Sequence, residues 1–127
     1  METWDAIRAR RNVRDYADRP IADEHLDQIL EAGRRSPSAS NWQPWDFVVV
    51  TDREQLADLS TVWQGARHVA RSAATVALVA PADLDEDRIP RLHYDLGQAT
   101  ISMMVEAADL GIGSGHASVA DQERAQA

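Results

Sequence analysis

Residues 35–50 read Arg35-Ser36-Pro37-Ser38-Ala39-Ser40-Asn41-Trp42-Gln43-Pro44-Trp45, followed by Asp46-Phe47-Val48-Val49-Val50. Prolines fix the backbone, and Ser and Asn offer short polar side chains that bond nearby backbone groups. Two of the chain's four tryptophans also fall here, which is more apolar ring than a connector needs. From the residues alone two readings stand. One is a turn between helix and strand whose tryptophans cap the core. The other is a rigid, hydrogen-bond-rich wall with flat apolar surface, suited to a planar ligand. The continuous apolar run Phe47–Val50 that follows has the character of a buried strand.

Working outward, Asp23 predicts the cap of a helix with an apolar stripe at Leu26, Ile29 and Leu30 and a stop at Gly33. Upstream, residues 3–11 read as a first helix, with Thr3 as cap and Trp4 and Ile7 on one side. Residues 12–20 then look extended. Downstream, Leu56, Leu59 and Trp63 give a helical pattern over 53–63, with a further turn at 67–71. Residues 74–80, ATVALVA, form a second buried strand that stops at Pro81. Residues 83–87 form an acidic surface loop. A long helix is expected from about Pro90 to Leu110, since Leu92, Leu96, Ala99, Met103, Ala107 and Leu110 recur at helical spacing. Gly111 ends it, residues 112–119 suit a third strand, and Asp121 caps a last helix. The sequence stops inside that pattern and is expected to be part of a longer chain. Strands among more numerous helices predict an α+β fold, in a single domain over residues 1–127.

The chain has 127 residues, 44% hydrophobic and 27% charged, with a formal net charge of −8 and no cysteine. The acidic balance argues against nucleic acid as a partner, because phosphate backbones call for a basic face. Disulfides, thiolate metal sites and cysteine nucleophiles are excluded. No apolar run suggests a membrane span or a signal peptide, so a cytoplasmic protein is the default expectation. Several motifs fail on inspection. Gly111-Ile112-Gly113-Ser114-Gly115-His116 imitates a dinucleotide fingerprint but lacks the final glycine and follows a helix rather than a strand. The acidic run at 83–87 lacks the glycine of a calcium loop, and the four histidines lack metal-ligand spacing. No metal site and no protein acid or base is predicted as catalytic.

The densest charge feature is Arg8, Arg10, Arg11 and Arg14, four cations in seven residues of an acidic protein. Guanidinium groups present a planar fork of donors that matches phosphate or carboxylate. The cluster falls where the first helix gives way to extended chain, so the side chains are able to converge. A solvated helix end favoured by the helix dipole fits the same residues.

Three blocks together resemble the FMN-dependent nitroreductase family over essentially the whole chain. They are Ala6–Arg14 (AIRARRNVR), Ser36–Val50 (SPSASNWQPWDFVVV), and Tyr94–Gly115 (YDLGQATISMMVEAADLGIGSG). The resemblance implies a mostly antiparallel central sheet flanked by helices, and a homodimer with FMN at the subunit interface. By position, Arg10, Arg11, Asn12 and Arg14 would grip the phosphate, ribityl chain and pyrimidine edge. Pro37, Ser38, Ala39 and Asn41 would line the flavin from the other subunit. His116, Ala117 and Ser118 would pass its reactive edge, and Gln64 is a further contact. The implied chemistry is hydride transfer from NAD(P)H through FMN to a nitroaromatic, quinone or similar acceptor. A flavin-binding or dimerisation module without catalysis, or a flavin-consuming or dehalogenating relative, is the alternative. Two departures stand out. Gly115-His116 replaces the aromatic residue or proline that many members carry, so His116 either donates a proton or fills space. Members also usually continue for several dozen residues beyond this point.

Overall fold

The computed structural model describes every residue from Met1 to Ala127. In chain order the elements are α1 (Thr3–Ala9), α2 (Asp23–Arg34), β1 (Asp46–Val50), α3 (Arg53–Leu59), β2 (Thr75–Val79), α4 (Ile89–Asp109) and α5 (Gln122–Gln126). Two 3₁₀ segments, Ala39–Asn41 and Gln64–Arg71, stand before β1 and before β2. The architecture is α+β, as expected. No helix is long and apolar enough to cross a membrane.

The long helix α4 organises the chain. Pro90 sits in its first turn, where a missing N–H costs no helical hydrogen bond. Its stripe of Leu92, Ala99, Met103 and Ala107 is buried, and both α1 and α2 pack against it. The helix ends through Gly111, at φ +73°, with the Ile112 N–H on the Ala107 carbonyl at 2.8 Å and the Gly111 N–H on that of Ala108 at 3.0 Å. That double closure is a Schellman motif, which the freedom of glycine permits.

Strands β1 and β2 pair antiparallel, with Phe47 opposite Leu78 and Val49 opposite Val76. Phe47, Val76 and Leu78 close over Ile29, Met103 and Ala107, joining the sheet to α2 and α4. A second cluster gathers Leu56, Val62, Ala66 and Val69 between α3 and the following 3₁₀ segment. Full burial of Leu56 contributes about 2 kcal/mol by transfer alone.

Several sequence expectations need correction. Gly33 does not end α2, which runs on to Arg34. Its role is close packing: a Cβ there would lie 2.9 Å from Met103 Cγ and Sδ and 3.1 Å from Phe47 Cζ. Asp23 and Thr3 are the first residues of their helices, and neither α1 nor α2 has a side-chain cap. Helix α1 stops at Ala9, and Trp4 (65% exposed) and Ile7 (46%) face outward, leaving Ala6 as its buried residue. Helix α3 stops at Leu59, because the Ser60 and Thr61 hydroxyls bond the Ala57 and Asp58 carbonyls and Trp63 is extended. The strands are only partly covered, with Val48, Val49 and Val79 exposed. No third strand forms over residues 112–119. A single parallel bridge joins Asn12 to Ser114 there, since Gly113 and Gly115 bring no side chains to support a longer ladder.

Candidate functional site

The first half of the site is the junction of the arginine segment with the exit from α4. Helix α1 releases the chain at Arg10, whose backbone is extended (φ −61°, ψ 126°). The Asn12–Ser114 bridge follows, with the Val13 N–H donating to the Ser114 carbonyl at 2.8 Å. The approach is tight: a Cβ on Gly115 would come within 2.4 Å of the Val13 carbonyl oxygen, and one on Gly113 within 3.0 Å of Val13 Cγ1. Glycine is therefore required at 115 for this contact.

Arg8, Arg10, Arg11 and Arg14 enter no ion pair and no side-chain hydrogen bond. Arg34 and Arg35, by contrast, are on Glu31 at 2.7 and 2.6 Å, which holds that carboxyl down at about 2. Four uncommitted guanidinium groups in a chain of net charge −8 form a donor set that suits a phosphate or another anion.

Two residues that sequence reasoning did not single out complete this half. The Tyr16 hydroxyl lies 2.9 Å from His68 Nδ1. It also stands 3.4 Å from where a Cβ on Gly115 would be, beside His116. Burial pushes His68 below the usual histidine range, and the positive charges of Arg14 and His116 push the same way. Burial raises Tyr16, against the opposing pull of Arg14. Tyr16 stands only two residues beyond Arg14, past a bend at Asp15, so no alternation in the sequence marked it. His68 carried no such signal either.

The remaining predicted residues of this half are spread along its rim. Gln64 is exposed and opens the 3₁₀ segment that carries His68. His116 and Ser118 are exposed. Ala117 packs on the Leu56 cluster, and the Ala120 and Asp121 N–H groups donate to the Val62 carbonyl at 3.1 and 3.0 Å, which fixes the exit strip against the body.

The second half is the loop 36–45. A buried carboxylate organises it: Asp95, 2% exposed on α4, accepts from the Ala39 N–H at 3.0 Å and the Trp42 indole N–H at 2.7 Å. Gln98 Nε2 donates to Asp95 Oδ1 at 3.2 Å and to the Pro37 carbonyl at 3.3 Å. The Ser38 hydroxyl accepts from the Gln43 N–H at 3.0 Å. Three non-glycine residues, Ser40, Asn41 and Gln43, are held in the left-handed region, which persists only where surroundings over-determine it. The loop is thus built rigid. Trp42 serves as a hydrogen-bond donor in that frame, while Trp45 is buried and stacks on Phe47 with ring centres 6.2 Å apart. An acid at the i+3 position after Leu92 on the buried stripe was a readable sign of Asp95.

Within one chain the two halves are not joined by any hydrogen bond or ion pair. The loop is anchored near Asp95, Gln98 and Ser102, whereas the arginine segment meets the chain after Gly111. From Asp95 to the end of α4 at Asp109 is about 21 Å of helix.

The Nitroreductase family description matches residues 7–64, from the arginine segment through the loop to Gln64. A protein of Archaeoglobus fulgidus with the provisional name NADH dehydrogenase/NAD(P)H nitroreductase is 37% identical over 108 residues, covering 85% of this chain and 62% of that protein. The FMN reductase [NAD(P)H] of Bacillus subtilis is 32% identical over 124 residues, covering 94% of this chain and 49% of that one. The chain therefore spans 62% and 49% of the length of these two relatives. In three dimensions a nitroreductase family protein from Clostridium novyi superposes with a TM-score of 0.89 over 99% of this chain and 74% of that chain, at 22% identity.

The fold is of nitroreductase type. Along most of its length the chain is similar in sequence to proteins named as nitroreductases or FMN reductases, and residues 7–64 match the Nitroreductase family.

Proposed function

We propose that the protein is an FMN-dependent oxidoreductase that carries hydride from NAD(P)H to a nitroaromatic, quinone or similar acceptor, working as a cytoplasmic single-domain homodimer. The observation that carries this reading is the set of uncommitted arginines held against the glycine exit by the Asn12–Ser114 bridge. The name of the B. subtilis relative, an FMN reductase, supports the choice of ligand.

FMN, when bound, supplies the redox chemistry, and the protein supplies position and electrostatics. Arg10, Arg11 and Arg14 hold the phosphate and the polar edge of the ring, with Asn12 fixing the turn between them. The backbone at His116, Ala117 and Ser118 offers donors beside the ring, and Gln64 closes the rim. Pro37, Ser38, Ala39 and Asn41 of one subunit serve the site of its partner, in keeping with the separation of the two halves along α4. The rigid loop keeps water and misplaced acceptors away from one face.

The test is direct. Purified protein should be yellow, and anaerobic addition of NADH or NADPH should bleach it. A colourless protein that takes up no added FMN would sink the reading, and colour without bleaching would reduce it to a flavin-binding module. Replacing Arg10 and Arg14 together by Ala should strip the cofactor, lowering affinity by at least about 100-fold for two charge-assisted contacts.

A further inference from the structure

His68 is the buried polar group that the functional reading leaves unexplained. Its side chain is 8% exposed, and its Nε2 atom is buried without a hydrogen-bond partner. Buried polar atoms are nearly always paired, so an orphaned ring nitrogen beside a ligand site marks a place where a ligand completes the pairing. The other ring nitrogen, Nδ1, is engaged by the Tyr16 hydroxyl at 2.9 Å. A neutral phenol is the better donor and an imidazole nitrogen the better acceptor, so Tyr16 donates and the ring hydrogen resides on Nε2.

The location fits. Tyr16 follows Arg14 by two residues, and its hydroxyl lies 3.4 Å from where a Cβ on Gly115 would be, beside His116. His68 thus lies where the arginine segment, the 3₁₀ segment and the exit from α4 meet.

We propose that His68 is a further flavin-binding residue, its Nε2–H donating to an acceptor atom of bound FMN while Tyr16 holds its other nitrogen. The inference rests on the FMN reading above and adds a residue to it. Burial keeps the imidazole neutral, and the nearby charges of Arg14 and His116 act in the same sense. The hydrogen therefore stays fixed on one nitrogen.

The experiment compares FMN affinity by quenching of flavin fluorescence in the wild type, His68→Asn and His68→Gln. Asparagine keeps an amide at the Nδ1 position facing Tyr16 and removes Nε2. Glutamine restores an amide near the Nε2 position. The dissociation constant is expected to rise about tenfold in His68→Asn, the worth of one buried hydrogen bond, and to recover in part in His68→Gln. Unchanged affinity in both variants overturns the inference alone. Equal loss in both, with equally lowered melting temperatures, assigns His68 a structural role and also overturns it. A wild type that takes up no FMN overturns the functional reading and the inference with it. Should either variant fail to fold, ¹⁵N NMR of the wild-type imidazole decides: FMN should move the Nε2 resonance of His68, and a signal that stays put sinks the proposal.

Discussion

At the scale of single residues, two buried polar side chains control the site's shape. Asp95 accepts two hydrogen bonds from the loop and one from Gln98. Asp95→Ala would leave the Trp42 indole and the Ala39 amide without an acceptor, at a cost of about 2 kcal/mol. Hydrogen exchange across residues 38–43 should quicken, and a loop that stays protected would refute this account. His68 carries a pH signature. Its folded pKa lies below its ordinary value of about 6.5, so folding favours the neutral ring. That contribution is present above about pH 6.5 and is lost as pH falls through the lower folded value. Between about pH 7.5 and about pH 5 the melting temperature should drop more in the wild type than in His68→Asn. Tyr16, Arg14 and His116 are the titratable and charged groups that face it.

At the scale of elements, the bridge between residues 12–13 and 114–115 is the joint that places the arginines. Gly115→Ala puts a methyl group within 2.4 Å of a backbone oxygen that has no freedom to swing aside. The bridge must open, and FMN affinity should fall about tenfold or more, the equivalent of losing at least one supporting hydrogen bond. Titration of the variant with FMN checks this, and an unchanged dissociation constant would show the bridge to be dispensable. The elements were unequally legible in the sequence. The long helix could be read because its stripe recurs over five turns, and the strands because their apolar runs are bounded by turn residues. The third strand could not, since Ile112–Val119 has the composition of a strand but finds only one bridging partner. Gly33 misled for a related reason: a glycine that ends a helix and one that admits a neighbouring helix look alike in sequence.

At the scale of the whole molecule, exposed apolar side chains need a partner under the dimer reading. Tyr94 (71% exposed) and Ile101 (45%) lie seven residues apart on one face of α4, with Gly97 open between them. Trp4 and Ile7 add a second exposed patch on α1. Ile101→Glu should convert a dimer to monomer in light-scattering chromatography, and should lower FMN uptake if each site borrows the partner's loop. A dimer that persists would move the interface to another face.

The sequence by itself determined the main helices, the two strands, the resemblance to the nitroreductase family and the arginine, loop and glycine blocks, because period, turn chemistry and charge clustering are local properties. Only the tertiary structure decided which blocks meet. It set Asn12 against Ser114, buried Asp95 beneath the loop, and brought Tyr16 to His68, 52 residues further along the chain. Such pairings follow from how helices and strands pack around α4, and hydrogen bonds between distant residues leave no periodic mark in sequence.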